Sequence, residues 1–260
     1  MTTWVLLRGL ARESRHWGGF PALLQRGLPA GDEVIALDLP GNGSRWRECS
    51  PATVGAMAQA ARTELQRCGA RAPVMLVALS LGGMVAVEWA TRHPAEVRGC
   101  VLVNSSLRGL APPWDRLRPR ALAELLLLVL QADVHARERR ILRLTSNVPA
   151  SEALVHAWAE HARNAPVSRA SMLRQLLAAA RFRAPRTAPA VPLLLLASAQ
   201  DRLVSVRCSR AIARSWQVPL VEHPTAGHDL ALDDARWLAR QIVRWATACA
   251  PRHGSATELP

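Results

Sequence analysis

The stretch Pro73-Val-Met-Leu-Val-Ala-Leu-Ser-Leu-Gly-Gly83 constrains the fold of this chain more than any other. Its apolar run, Val74–Leu79, is short, largely aliphatic and bounded by Pro and Gly, which predicts a buried strand. The residues Met84–Ala90 then predict a helix that packs against a sheet. Ser80 stands alone between the two, with small residues two positions before and two positions after it. We therefore expect a sharp turn that lifts the Ser80 hydroxyl clear of the sheet.

Strands and helices alternate along most of the chain, which predicts an α/β fold with a mostly parallel sheet of about six strands flanked by helices. The other five strands are expected at residues 4–7, 34–37, 101–103, 192–197 and 219–222. Ligands of such sheets bind outside the carboxyl ends of the strands. Polar residues at those ends are therefore the first candidates for a functional site.

The alternation stops between the fourth and fifth strands, where residues 107–188 carry no strand pattern. Four helices are expected there instead, at 121–132, 134–144, 152–164 and 169–182, with Ser151 and Ser168 as N-caps. This segment is predicted to be an inserted helical lid over the carboxyl ends of the strands. The predicted domain organisation is a core in two parts, a lid and a flexible tail, at residues 1–106 with 189–250, 107–188 and 251–260.

An activated Ser needs a base, and that base needs an acid that orients it. Asp201 follows the fifth predicted strand and His228 follows the sixth, so both are expected near Ser80 at one edge of the sheet. The chain order Ser80, Asp201, His228 is that of the α/β-hydrolases. Two alternatives stay open, since Asp201 also fits the N-cap of the next helix and His223 is a rival base.

Across residues 3–248 the chain resembles the α/β-hydrolase fold superfamily, in its serine esterase branch. The resemblance implies an oxyanion hole formed by the N–H groups of Leu10 and Leu81. Members usually have His-Gly after the first strand, whereas this chain has Arg8-Gly9, and the change bears on the conformation of that loop. Arg8 therefore leaves a second interpretation open, a non-catalytic ligand-binding protein on the same fold. Within that superfamily, the chain is similar to the pimeloyl-carrier-protein methyl ester esterases of biotin synthesis in its Ser-Leu-Gly-Gly motif, its length and its single lid.

The composition of the chain bears on where the protein is located and on what it binds. The chain has 260 residues and a net charge of +13, and all its basic residues are Arg, which is typical of a GC-rich coding bias. No basic run is interleaved with aromatic residues, so no nucleic-acid partner is predicted. Five cysteines without a CxxC pair predict a reducing compartment without a disulfide framework or a metal site. The first residues enter a strand without a signal-peptide pattern, and no membrane segment is expected, so the predicted location is cytoplasmic.

The predicted lid holds fourteen arginines against six acidic residues, a surplus of eight charges. One interpretation is a solvated helical face that reflects coding bias. The other is a docking surface for an acidic partner such as an acyl carrier protein, for which the arginines of residues 137–143 are the best candidates.

Taken together, these features predict a serine hydrolase that cleaves a small-molecule carboxylic ester or thioester with an apolar acyl group through an acyl-enzyme. The predicted catalytic residues are Ser80, Asp201 and His228, and no cofactor is expected. Trp17, Trp114 and Trp158 are the candidate pocket residues, although a buried Trp more often belongs to a core.

Overall fold

Six parallel strands form the centre of the computed structural model, which describes residues 1–249. The tail predicted to be flexible, residues 251–260, lies outside the described residues. The strands are β1 Thr3–Leu7, β2 Glu33–Leu37, β3 Val74–Leu79, β4 Val97–Val103, β5 Leu193–Ser198 and β6 Leu220–His223. Their order across the sheet is β2-β1-β3-β4-β5-β6. The predicted six-stranded parallel sheet is therefore confirmed.

The central strands are mostly apolar because both faces of the sheet are covered. All six residues of β3 are buried, and so are all six of β5. Helices on both faces are the usual cover of a parallel sheet, since each crossover between parallel strands must pass over one face. β3 lies between β1 and β4, so the end of this strand is flanked by the ends of two others.

Eleven α-helices lie within the described residues. They are α1 Phe20–Gly27, α2 Val54–Arg67, α3 Leu81–Arg92, α4 Pro113–Arg116, α5 Pro119–Leu130, α6 Val134–Thr145, α7 Glu152–Asn164, α8 Arg169–Arg181, α9 Val206–Trp216, α10 Leu230–Asp233 and α11 Ala235–Cys249. Apolar residues of α2, α3 and α9 pack on one face of the sheet, and those of α1 and α11 pack on the other. The molecule thus has one sheet between two helical layers.

Helices α4 to α8 all lie between β4 and β5, where the alternation of strands and helices was predicted to stop. Two of these helices share a small core, formed by Leu142 of α6 and by Val155 and Trp158 of α7. Ser151 and Ser168 cap α7 and α8 as predicted, each accepting a hydrogen bond from the N–H three residues later. The division of the chain into core and lid remains a prediction.

The structure differs from the sequence interpretation mainly at the ends of elements. β4 begins at Val97, four residues before the predicted start, because the exposed Arg98 and the small Gly99 interrupt its apolar pattern. The short helices α4 and α10 were not predicted, since four residues are too few to show a helical period. None of the helices within residues 1–249 has the length and apolarity needed to cross a membrane.

Candidate active site

Ser80 occupies a strained turn between β3 and α3. Its backbone angles are φ 58° and ψ −116°, a region that residues with a side chain rarely adopt. The Ser80 N–H donates to the carbonyl oxygen of Val103 at the end of β4 at 2.9 Å, which ties the turn to the sheet. A Cβ on Gly82 would lie 2.5 Å from the carbonyl oxygen of Leu7. The small residue two positions after Ser80 is therefore required by the close approach of β1.

Asp201 and His228 meet as the sequence predicted. His228 Nδ1 and Asp201 Oδ2 lie 2.7 Å apart, and both side chains are buried. Asp201 Oδ1 accepts two more hydrogen bonds, from the N–H groups of Leu203 at 2.7 Å and Val204 at 2.9 Å. This carboxylate is therefore held at both oxygens, and it orients the imidazole. Within residues 1–249 no hydrogen bond joins Ser80 Oγ to His228, although both residues line the same cavity.

The rival base His223 is held elsewhere. Its Nδ1 accepts from the N–H of Ala226 at 2.9 Å, and its ring lies edge-on to Trp237. His223 does not line the cavity that contains Ser80. The structure therefore brings His228, and not His223, into the wall of the cavity that contains Ser80.

Asn104, at the end of β4, fixes the loop that carries His228. Its side-chain amide donates to the carbonyl oxygen of His228 at 2.8 Å, and its side-chain oxygen accepts from the N–H of Ser198 at 2.7 Å. Asp233 holds the same loop by accepting from the N–H of Gly227 at 2.6 Å. Sequence reasoning assigned neither residue a role. The only available signal was the position of Asn104 at a strand end.

The loop after β1 lies directly against Ser80. A Cβ on Gly9 would be 3.0 Å from the Ser80 Cβ, so the backbone of this loop reaches the candidate nucleophile. Leu10 follows Gly9, and Leu81 begins α3. In the described part of the chain neither the Leu10 N–H nor the Leu81 N–H donates to another protein group. The two N–H groups therefore stay candidates for the oxyanion hole that the sequence resemblance implies.

A cavity of about 310 Å³ connects Ser80 and His228 with the helices between β4 and β5. Its apolar wall comes from the loop after β1, the end of β3, the loops after α7 and β5, and the helices α5, α6, α7 and α8. These residues are Leu10, Leu79, Leu125, Leu128, Ile141, Leu144, Ala162, Ala165, Val167, Met172 and Leu203. A space of this size with apolar walls and a few polar groups is typical of a small-molecule site.

The three tryptophans suggested as pocket residues do not line this cavity, which corrects that expectation. Trp17 is buried against α1, in the core on the face of the sheet that α1 and α11 cover. Trp158 is buried in the small core between α6 and α7. Trp114 lies on α4 and is 63% exposed. Leu, Ile and Met side chains form the apolar wall instead, because the cavity lies among helices whose inner faces carry these residues.

A polar cluster closes another part of the cavity wall. Arg12 donates to the buried Glu138 of α6 at 2.7 Å, and its Nη1 lies 3.1 Å from His16 Nε2. Burial, reinforced by the positive charges of Arg12 and Arg8, holds the pKa of His16 well below its ordinary value. His16 is therefore neutral at pH 7. This cluster connects the loop after β1 to α6.

The arginines at residues 137–143 mostly have acidic partners. Arg139 makes two hydrogen bonds to Glu152, at 2.6 and 2.7 Å, and Arg140 pairs with Glu124 at 2.5 Å. The cluster is therefore less available to a partner than the sequence suggested. Arg169, Arg174 and Arg181 of α8 are exposed, and no carboxylate of residues 1–249 lies within ion-pair distance of them.

Arg8, the residue that departs from the usual His, is buried and pairs with Asp229. Its side chain does not displace the loop, because Gly9 still packs on Ser80. Within residues 1–249 no group of three or more His, Cys, Asp or Glu side chains is arranged to hold a metal ion.

Two curated relatives align with parts of the chain. One is the biotin biosynthesis bifunctional protein BioHC of Cellvibrio japonicus, 29% identical over 231 residues, or 80% of this chain and 40% of the relative. The other is the pimeloyl-[acyl-carrier protein] methyl ester esterase of Chromobacterium violaceum, 36% identical over 92 residues, or 35% of this chain and 34% of the relative. The chain thus spans well under half the length of the curated relatives that it matches.

Solved structures share the fold over nearly the whole chain. A hydrolase from Pseudomonas aeruginosa PA01 superposes with a TM-score of 0.75 at 17% identity, covering 94% of this chain and 89% of the other. A thermophilic esterase from Thermogutta terrifontis gives 0.72 at 19% identity, covering 96% and 90%. Identity this low shows the fold alone. The family model of the alpha/beta hydrolases, however, matches residues 4–241, from β1 into α11, and the chain therefore belongs to the alpha/beta hydrolase family.

Proposed function

We propose that this protein is a serine hydrolase that cleaves a carboxylic ester or thioester of an apolar acyl group. The observation that carries the proposal is the strained turn at Ser80, which opens into the same cavity as a His228 imidazole held by Asp201. A nucleophile, a base and an orienting acid are the three parts that covalent acyl transfer requires.

In the proposed reaction Ser80 Oγ attacks the acyl carbon, and the carbonyl electron pair moves onto oxygen. His228 Nε2 takes the Ser80 proton as the new bond forms, and Asp201 stabilises the imidazolium. The N–H groups of Leu10 and Leu81 donate to the oxyanion. The tetrahedral intermediate then collapses, and the leaving alcohol or thiol departs with the proton from His228. Water, deprotonated by His228, hydrolyses the acyl-enzyme and restores Ser80.

The apolar wall of the cavity supports the choice of an apolar acyl group. Burying an alkyl chain there stabilises the complex by about 0.8 kcal/mol per methylene. A volume of about 310 Å³ limits that chain to a modest length, since the reacting ester must share the space. Acyl chains longer than the cavity are expected to lose activity.

The decisive test is labelling with a fluorophosphonate, combined with turnover of p-nitrophenyl esters of increasing chain length. The wild type is expected to be labelled and to hydrolyse short and medium esters, whereas Ser80→Ala should lose both activities while its thermal melting is unchanged. Wild-type-like turnover in Ser80→Ala would refute the mechanism. A wild type that binds esters without labelling or turnover would instead favour the non-catalytic ligand-binding alternative.

A second candidate substrate is an ester carried on an acidic acyl carrier protein. One observation that favours it is the similarity to the Chromobacterium violaceum esterase, whose name gives an acyl-carrier-protein ester as its substrate. The other is that α8 has no acidic residues and exposes Arg169, Arg174 and Arg181. Charge of one sign raises the association rate with an oppositely charged partner, and salt weakens the effect.

The carrier candidate is tested by kcat/KM from 20 to about 300 mM salt, for a carrier-bound ester and for a small neutral ester. Arg174→Glu should lower kcat/KM for the carrier substrate alone, and the loss should fade as salt screens the charge. Arg236→Glu, a charge reversal on α11, is the matched control and should have little effect. Equal responses of both substrates would exclude the carrier.

A further inference from the structure

A buried ion pair joins the loop after β1 to the residue that follows the proposed base. Arg8 Nη1 donates to Asp229 Oδ1 at 3.1 Å, and Arg8 Nη2 donates to Oδ2 at 2.6 Å. The two side chains are only 3% and 4% exposed. The guanidinium also lies over the ring of Trp17, 4.8 Å from its centroid. The pair is therefore bidentate, shielded from solvent and packed against an aromatic face.

Each partner of the pair is also fixed through its backbone. The carbonyl oxygen of Arg8 lies 2.8 Å from the position that a Cβ on Gly82 would take, so Arg8 packs on the start of α3. The Asp229 N–H donates to the carbonyl oxygen of Thr145, the last residue of α6, at 2.8 Å. The ion pair thus connects three segments: the loop after β1, the loop after β6 and the end of α6.

The position of the pair along the chain relates it to the proposed chemistry. Arg8 is two residues before Leu10, which carries one proposed oxyanion donor, and Asp229 directly follows His228. The two loops come from opposite ends of the chain, and no strand pairing joins them directly, since β1 and β6 lie far apart in the sheet order. The contact between Arg8 and Asp229 links the loop that carries the proposed oxyanion donor directly to the loop that carries the proposed base.

Stability alone does not account for such a pair. The cost of removing two charges from water often equals or exceeds their mutual attraction, so a well-packed apolar pair of similar volume is frequently as stable. A bidentate guanidinium–carboxylate contact does fix both the separation and the relative orientation of its two carriers. The ion pair is also neutral as a whole, so it adds no net charge beside the His228 imidazole.

We propose that Arg8 and Asp229 are positioning residues, whose ion pair holds the Leu10 N–H and the His228 imidazole in a fixed relation to Ser80 Oγ. The proposal rests on the proposed serine hydrolase function, which it deepens. It also gives a reason for Arg at the position where the family usually has His, since only a long forked side chain makes two hydrogen bonds to Asp229. A displacement of about 1 Å in such a site can cost roughly 100-fold in rate.

The test is the double variant Arg8→Met/Asp229→Leu, which removes the pair without leaving a buried unpaired charge. With p-nitrophenyl butyrate, kcat is expected to fall about 10- to 100-fold, as expected for lost positioning. Arg8 and Asp229 line the cavity themselves, but none of the Leu, Ile and Met residues of its apolar wall is altered, so KM should change less than roughly three-fold. The melting temperature should stay within about 5 °C of the wild type. Arg210→Met/Glu222→Leu is the matched control, because it removes the bidentate pair between α9 and β6, and it should keep wild-type kcat.

Arg8→Lys provides a second test that does not depend on the folding of the double variant. Lys keeps the charge but offers a single point donor in place of the fork, so kcat should fall several-fold while KM and melting temperature stay near wild type. Wild-type kcat in a folded double variant, or in Arg8→Lys, would overturn the positioning role. The proposed function is tested separately by wild-type turnover and its loss in Ser80→Ala, so the two ideas fail independently.

Discussion

The substitution Asp201→Asn tests the proposed site by changing which nitrogen of the His228 imidazole carries the proton. In the structure Asp201 Oδ1 accepts from two backbone N–H groups, those of Leu203 and Val204, while Oδ2 faces His228 Nδ1. An Asn of the same shape must place its carbonyl oxygen where the two N–H groups point. Its NH₂ group then faces His228 Nδ1, which must accept a hydrogen bond. The imidazole proton is thereby forced onto Nε2, the atom that should receive the Ser80 proton.

The size of the effect follows from these hydrogen bonds. Turning the amide around would restore the productive tautomer, but it would break both backbone hydrogen bonds, at about 1–3 kcal/mol each. Roughly 2–6 kcal/mol against the productive orientation leaves at most a few per cent of molecules active. The corresponding change in a Ser-His-Asp protease lowers kcat by about 10⁴-fold, or about 5.5 kcal/mol of barrier. We expect a loss of about 10³- to 10⁴-fold here.

The assay is kcat for p-nitrophenyl butyrate, together with the rate of fluorophosphonate labelling and thermal melting. The variant should melt near the wild-type temperature, because Asn fills the same volume. Asp32→Asn is the matched control, since Asp32 accepts from the N–H of Thr2 and from the Trp4 indole at the opposite end of β1. A folded Asp201→Asn that keeps more than a tenth of wild-type kcat would show that Asp201 does not set the tautomer of His228.

Three further predictions use the same ester assay and melting curves. His228→Ala should lose about as much activity as Ser80→Ala, because triad members act as a unit, whereas an active His228→Ala beside an inactive His223→Ala would reverse the assignment. Ile141→Ala should shift the acyl-length optimum towards longer chains without changing kcat for the acetate ester, and an unchanged length profile would remove Ile141 from the acyl pocket. Because the folded-state pKa of His16 lies well below its ordinary value, the unfolded chain binds a proton that the folded chain does not as pH falls below about 6.5. The wild type should therefore lose stability between pH 7.5 and 5.5, and His16→Gln should lose less; equal slopes would contradict a neutral buried His16.

The sheet and the candidate triad could be predicted because each leaves a local pattern. A strand that is covered on both faces must be apolar along its length, so β3 and β5 are visible as short aliphatic runs. Parallel strands place their carboxyl ends at one edge, so Ser80, Asp201 and His228 could be assigned to one site from their positions after three strands. The strained turn required small residues around Ser80, and these are visible in the sequence.

Contacts between distant segments could not be predicted in the same way. The partner of Arg8 lies 221 residues away, and nothing local to either residue indicates the pair. The arginines of α6 looked like a free basic cluster, because Glu152 and Glu124 belong to neighbouring helices that reach Arg139 and Arg140 only in the folded state. The tryptophans were assigned to the pocket by residue type alone, and residue type does not tell which face of a helix or loop a side chain lies on.

Arg8 shows why an unusual residue in a family motif is better interpreted in its folded environment than by its departure from the motif. From the sequence, Arg in place of His after β1 weakened the case for an intact oxyanion loop. In the structure Arg8 meets a carboxylate at both of its Nη atoms and an aromatic ring at its face, while Gly9 remains against Ser80. An Arg at this position would be costly if Asp229 were absent, since a buried guanidinium without a partner destabilises the fold. The departure at residue 8 and the carboxylate at residue 229 therefore form one structural feature, and its position between the proposed oxyanion donor and the proposed base fits the positioning role that we propose for it.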